Sequence, residues 1–245
     1  MARRRFFVPE IHRGTAELTG SDAEHLVRVL RAEVGQVYEI SDNEKLYLAE
    51  IEVARKSVVT FRIKERLAPP APSVTITLAA ALFKFDRFEW LVEKATELGV
   101  TAIQPVEAVR TERGLAQASG KRRTRWERIA LEASQQSRRA HLPVIHPTVR
   151  FAKALEVQSN PRLLLDEAAS APPVLSQLPD ARSASDHVTL LLGPEGGWTE
   201  EERTAATNAG WLPCSLGPAI LRAETAAVAG LAIVQAAWSA KPAGE

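Results

Sequence analysis

Leu190-Leu-Leu-Gly193-Pro-Glu-Gly-Gly197-Trp-Thr199-Glu-Glu-Glu202 is the stretch on which the reading of this chain turns. The apolar run Val188–Leu192 before it has the length and composition of a buried strand. The run breaks at a Gly-Pro-Glu-Gly-Gly loop, and a helix is expected over Thr199–Ala209. Thr199 and Glu202 have the spacing of a capping box, and three glutamates in the first turn suit the positive end of the helix dipole. In open α/β sheets ligands sit beyond the carboxyl ends of the strands. Glycines there allow positive φ and close approach of the backbone to a ligand. Three glycines, a proline and an acid in five residues are more than a bare turn requires, so a ligand site is expected at this loop. No Gly-x-Gly-x-x-Gly follows an early strand, and no Gly-Lys-Ser/Thr ends a glycine loop. Three glutamates beside the loop would repel a pyrophosphate, so a ligand with a positive centre fits better.

A second segment repeats the pattern: Leu216-Gly-Pro-Ala-Ile-Leu-Arg222-Ala-Glu224-Thr225-Ala226. A strand over Leu212–Leu216 ends in a glycine-containing loop, and a helix over Glu224–Ser239 follows. Arg222 offers a planar, always-charged fork of donors. Arg222 and Glu224 either pair with each other or serve a ligand, and spacing leaves both open.

Outward from these two segments, strand-like and helix-like stretches alternate. Val74–Ala81, Ala102–Val106, Val144–Ile145 and Arg162–Leu165 read as strands. Arg87–Leu98, closed by Gly99, and Arg122–Ala140 read as helices, with shorter helices near Phe151–Val157 and after Pro172-Pro173. Repeated βα units imply a mainly parallel sheet covered on both faces. Upstream, Ala68-Pro-Pro-Ala-Pro-Ser73 cannot lie inside a helix or a central strand and marks a linker. Before it the pattern is β: Val37–Ile40, Leu46–Val53 and Ser57–Lys64, with an Asp42-Asn43 turn. One helix is expected from a Ser21–Glu24 capping box onward. A small barrel carrying one helix leaves no exposed strand edge.

Composition sets outer limits. The chain has 245 residues, 45% of them hydrophobic, enough for one large or two modest domains. No run approaches the ~20 apolar residues of a membrane helix. Met1–Pro9 is basic and lacks an apolar core and a cleavage site, so no secretory signal is expected. The single cysteine, Cys214, precludes an intrachain disulfide, and the five scattered histidines form no ligand pair, so no protein-held metal is expected. Net charge is +1, yet Arg110–Arg139 holds nine Lys and Arg against three Glu. That stretch reads equally well as a phosphate-binding surface or as a solvated helix face.

Taken together, Leu-Leu-Gly-Pro-Glu-Gly-Gly at 191–197 and Leu-Gly-Pro-x-Ile-Leu-Arg-x-Glu-Thr-Ala at 216–226 resemble the cofactor loops of the bacterial 16S rRNA (uracil-N3)-methyltransferases of the SPOUT superfamily. Lys94-Ala-Thr-Glu-Leu-Gly-Val100 resembles that family's first-helix signature. Gln136-Ser137 and Arg139 match a mid-chain motif, and His25-Leu26 with Arg28-Val-Leu-Arg31 is similar to its N-terminal domain. The resemblance spans roughly residues 3–240. Two positions depart from the family pattern: Ala219 stands where Arg is usual, and Gln135 where Glu is common.

The resemblance implies a PUA-like RNA-binding β-barrel domain over residues 1–70. It also implies a SPOUT α/β domain with a trefoil knot and a mostly parallel sheet over 73–245. It implies S-adenosyl-L-methionine (SAM) as cofactor, wrapped by Leu192, Gly193, Pro194, Glu195, Gly196, Gly197, Leu216, Gly217, Ile220, Leu221 and Thr225. Arg222, Glu224 and Arg139 would carry the chemistry, Arg139 from across a homodimer. Arg3, Arg4, Arg5, Arg28, Arg31, Lys84 and Arg110 would grip small-subunit ribosomal RNA, within an assembled 30S subunit, in the cytoplasm. Other readings remain open. One is another enzyme of the superfamily acting on a tRNA base or a ribose, although the ribose enzymes' Asn-Gly/Ser-x-Gly motif is missing. Another is an RNA-binding assembly factor without catalysis, and a third is a generic nucleotide-binding α/β protein, which the missing phosphate motifs disfavour.

Overall fold

The structure, a computed structural model, describes residues 4–69, 71–168 and 170–240. It divides into two compact units. The described residues of Met1–Pro70 with Leu131–Leu142 form one, and those of Ala71–Ala130 with Pro143–Glu245 form the other.

In the first unit, β-branched and alternating sequence gives β1 (Arg5–Phe7), β2 (Ile11–His12), β3 (Thr15–Thr19), β4 (Val37–Ser41), β5 (Leu46–Arg55) and β6 (Val58–Leu67). They form one sheet in the order β1-β4-β5-β6-β3-β2, antiparallel except for the parallel β1–β4 pair. The edge strands β1 and β2 do not pair with each other among the described residues. The β4–β5 turn is closed by the Asp42 carboxylate, which accepts from the N–H groups of Glu44 and Lys45 at 3.0 and 2.7 Å. Asn43 takes the left-handed conformation there, at φ 69°. Phe6, Leu26, Ile40, Ile51, Val59 and Phe61 form the buried centre.

The helix of this unit, α1 (Gly20–Glu24), starts one residue before the expected cap and runs straight into a π-helical turn, His25–Val29. Thr19 is the N-cap and makes no side-chain capping bond. Ser21 is already helical, so the Ser21–Glu24 capping box does not form.

In the second unit the elements are β7 (Thr75–Ala81), α2 (Phe85–Glu97), β8 (Ala102–Glu107), α3 (Leu115–Gln136, whose residues from Leu131 belong to the first unit), β9 (Val144–Ile145), β10 (Val149–Arg150) and α4 (Phe151–Ala154). Next come β11 (Arg162–Leu165), a 3-10 turn at Val174–Gln177, β12 (His187–Leu192), α5 (Glu200–Asn208), β13 (Leu212–Cys214) and α6 (Ala223–Ser239). The sheet runs β10-β8-β7-β12-β11-β13, with β9 also on β8, and every pairing is parallel. The near-continuous apolar strands β7 and β12 are buried at its centre, as a sheet covered on both faces demands. Helix α3 begins seven residues before the expected Arg122 and ends at Gln136 rather than Ala140. Its end is set by Arg138, which adopts the left-handed conformation at φ 56°. Helix α6 buries Ala223, Ala227, Leu231, Val234 and Trp238, a stripe at helical spacing, and packs on α2 and β12. Ala232 and Ala236 lie on its exposed side.

Candidate functional site

Strands β12, β11 and β13 are neighbours in the sheet and end on the same side, so the loops after them meet. They enclose a cavity of about 320 Å³ lined by Leu165–Glu167, by Leu192–Glu195 with Gly197 and Trp198, and by Ser215–Ala223 with Ala226. That volume lies within the ~300–1,000 Å³ usual for small-molecule sites.

The loop after β12 is held by specific bonds. The Trp198 indole N–H donates to the Leu165 carbonyl at 3.0 Å, and the ring is buried against Phe151 at a centroid distance of 5.3 Å. A Cβ on Gly193 would lie 3.0 Å from that indole, so only glycine fits without displacement. Gly197 takes φ +70°, the left-handed region that favours glycine. Arg110 donates to the Gly196 carbonyl at 2.7 Å. The Thr199–Glu202 capping box is present in full. Its Glu202 carboxylate also accepts from the Val109 N–H at 2.8 Å, which ties the start of α5 to the loop after β8.

Asp166, Glu167, Glu195 and Arg222 are the charged residues of a wall that is otherwise mostly apolar, and Glu224 stands beside it. Asp166 is paired to Arg203 at 2.9 Å, which raises the Arg203 guanidinium's pKa. Glu195 is paired to Arg87. Glu167 is exposed and has no partner among the described residues. Glu224, at the first turn of α6, places Oε1 4.0 Å from Arg87 Nε, while its Oε2 is buried without a hydrogen-bond partner among the described residues. Arg222 is the N-cap residue of α6; its side chain is exposed, makes no capping bond, and has no ion-pair partner among the described residues. The Arg222–Glu224 pair that the spacing left open is therefore absent, and Arg87 takes its place. Cys214 lies nearby, fully buried; desolvation pushes its thiol up to about 12, which removes it as a nucleophile.

The structure thus brings Leu192, Gly193, Pro194, Glu195, Gly197, Leu216, Gly217, Ile220, Leu221 and Arg222 to one cavity. Gly196 faces Arg110, and Thr225 is exposed on α6. Arg139 belongs to the N-terminal unit, where its Nε donates to the His141 carbonyl at 3.2 Å and burial pushes its guanidinium down to about 10. Among the expected RNA contacts, Arg4, Arg28, Arg31 and Lys84 are exposed, and Arg3 lies outside the described residues. Arg5 is buried, with its guanidinium on Glu39 at 2.7 Å, because β1 and β4 pair with these two residues in register. Arg110 serves the glycine loop. Within the basic stretch, Arg125 and Arg122 meet Glu89 at 2.7 and 3.6 Å, and Arg122 covers the Phe85 ring. Glu167, Asp166 and Arg87 escaped the sequence reading. The first two directly follow the apolar strand β11, and that position was the available signal.

This is an α/β protein with a ligand cavity at the carboxyl ends of three adjacent parallel strands and a separate N-terminal β unit. Residues 69–235 match the family model of the RNA methyltransferase domain, and residues 18–64 match that of the RNA methyltransferase PUA domain. Ribosomal RNA small subunit methyltransferase E of Synechocystis is 35% identical over 96% of this chain and 78% of its own length. The Bacillus subtilis protein of that name is 30% identical over 90% and 89%. A crystal structure of the Neisseria gonorrhoeae protein of that name, bound to S-adenosyl methionine, is 32% identical, with a TM-score of 0.84 over 97% of this chain and 98% of that one. The chain belongs to the ribosomal RNA small subunit methyltransferase E family.

Proposed function

We propose that this protein transfers a methyl group from SAM to N3 of a uridine in 16S ribosomal RNA. The observation that carries the proposal is the cavity built from the Gly193–Gly197 and Leu216–Arg222 loops, in a chain 32% identical to a relative whose structure holds SAM. The residues present fit that group. Glycine at 193 and 197 lets the loop pack against Trp198 and Glu167 and leaves the cavity open, and Glu167, exposed on its wall, has the sign that a sulfonium and an ammonium call for. Leu192–Gly197, Leu216–Gly217, Ile220–Leu221 and Thr225 are assigned to holding the cofactor.

When bound, SAM supplies an activated methyl group, and the protein is left to position and stabilise. Uracil N3 is a poor nucleophile while protonated. The exposed guanidinium of Arg222, at the lip of the cavity, donates to a uracil oxygen and stabilises the negative charge left when the N3 proton passes to water at the open mouth. Glu224 is mostly buried, with 13% of its side chain exposed, which suits orientation rather than contact with the base. The target base leaves its stack to enter the site. Arg4, Arg28, Arg31 and Lys84 are assigned to phosphate contacts, which position RNA without reading its sequence.

The same reading includes an RNA-binding domain over residues 1–70 and a knotted catalytic domain over 73–245. It also includes a cytoplasmic homodimer in which Arg139 reaches the active site across the interface. The exposed alanine side of α6 suits that interface. No helix among the described residues is long and apolar enough to cross a membrane. The test supplies labelled SAM and small ribosomal subunits lacking the modification, then analyses nucleosides. Labelled 3-methyluridine is expected. Label in another nucleoside overturns the N3 assignment, and SAM binding without label overturns catalysis.

A further inference from the structure

Two carboxylates, one on a loop and one on a helix, converge on one cation. Glu195 comes from the loop after β12 and lines the cavity; Glu224 comes from the first turn of α6; Arg87 stands on the first turn of α2. A guanidinium presents five donors in a rigid plane and so spans two acceptors that an ammonium serves less well. A cation in the first turn of a helix opposes the helix dipole, so this position of Arg87 does nothing for α2 itself. The Arg87 and Glu195 side chains are 35% and 38% exposed, so the pair is not part of the core. Glu224 has one oxygen toward Arg87 and the other buried without a hydrogen-bond partner among the described residues. Among the described residues Arg87 is the one ion-pair partner of this carboxylate, and a mostly buried charge depends on such a partner.

We propose that Arg87 is a positioning residue of the cofactor site, a clamp that fixes the Gly193–Gly197 loop and the start of α6 at the spacing the cofactor requires. The proposal rests on the SAM-dependent reading. Arg87 acts through Glu195 and Glu224. Its loss loosens the cavity wall and removes no group that acts on the base, so cofactor affinity falls far more than turnover at saturation.

The test is SAM binding by calorimetry on the full chain, followed by turnover at saturating SAM. Arg87→Gln is expected to raise the SAM Kd about tenfold, the size of coupling seen between contacting charged groups. Its KM for SAM rises in step, and kcat stays within about twofold. Arg87→Lys keeps the charge and restores most of the affinity. The double variant Arg87→Gln/Glu195→Gln binds no more weakly than Arg87→Gln alone, because the second change removes a group already released. A SAM Kd in Arg87→Gln equal to that of the unaltered chain overturns the clamp and leaves the SAM reading standing. If Arg87→Gln does not fold by circular dichroism, Glu195→Gln alone decides: weaker binding supports the clamp, and unchanged binding overturns it. Failure of the unaltered chain to bind SAM overturns the functional reading, and the clamp with it.

Discussion

Trp198 and Leu165 are joined by a single bond of 3.0 Å, from the indole N–H to the backbone carbonyl, that ties the glycine loop after β12 to the end of β11. Both residues line the cavity. Trp198→Phe keeps most of the apolar ring and its contact with Phe151 but removes the donor. The expected loss is about 1 kcal/mol of folding stability, measured by urea unfolding, with weaker SAM binding beside it. A variant as stable as the parent would mean that this bond does not anchor the loop.

Glu202 has a larger task than its partner in the capping box. Its carboxylate accepts from the Thr199 N–H at 3.0 Å and from the Val109 N–H at 2.8 Å, and the residue is only 4% exposed. Glu202→Ala strips two backbone donors of their acceptor and is expected to cost about 2–3 kcal/mol, whereas Thr199→Ala loses one cap bond and costs about 1 kcal/mol. Equal losses in the two variants would show that the Val109 contact adds nothing.

Arg222 separates binding from chemistry. Because its guanidinium is exposed and unpaired among the described residues, Arg222→Ala should leave the fold and SAM binding intact. Removing a donor aimed at developing charge typically lowers turnover by about 10²–10³. Single-turnover methylation of ribosomal subunits, with SAM affinity measured in parallel, checks this. Full turnover with normal SAM binding would falsify the role given to Arg222.

His187 makes stability depend on pH. It opens β12, bonds Thr77 Oγ1 at 2.9 Å, and desolvation holds its pKa below the ordinary 6.5. The folded state therefore binds the proton less readily than the unfolded chain. The stabilisation is present above pH 6.5 and is lost as pH falls through the lowered value. Melting temperature should fall from pH 7.5 to pH 5.5, and His187→Gln should flatten that part of the profile. A parallel profile in the variant would assign the acid sensitivity elsewhere.

The cavity loops were legible because each is written in one continuous stretch, strand then glycine loop then helix, and local sequence carries all of it. The Thr199–Glu202 cap was legible for the same reason. Arg87 was not, because its carboxylate partner Glu195 stands 108 residues away and nothing in the spacing of α2 marks a cation as facing inward. The assignment of Leu131–Leu142 to the N-terminal unit was hidden too, since a helix keeps one periodicity while its packing partner changes. At α1 the sequence misled. Ser21 and Glu24 have capping spacing, but Gly20, at φ +66°, lets the helix begin one residue early and carries Ser21 inside it.

Arg5 and Arg28 had the same standing in the sequence, both basic residues expected on RNA, and the structure parts them. Arg5 is 6% exposed and bound to Glu39, whereas Arg28 is exposed on the π-helical turn. Arg5→Ala leaves the Glu39 carboxylate without its partner beside the β1–β4 pair and should cost roughly 3 kcal/mol of stability. Arg28→Ala should leave the melting temperature unchanged. It should weaken binding of 16S ribosomal RNA several-fold and lower the slope of log K against log salt by about one, the signature of one lost phosphate contact. Filter binding across a salt series, with thermal melts of both variants, tests the pair. Should Arg28→Ala bind RNA with the parent's salt slope, the phosphate contact belongs to other exposed cations, and the role assigned to the π-helical turn fails while that of Arg5 stands.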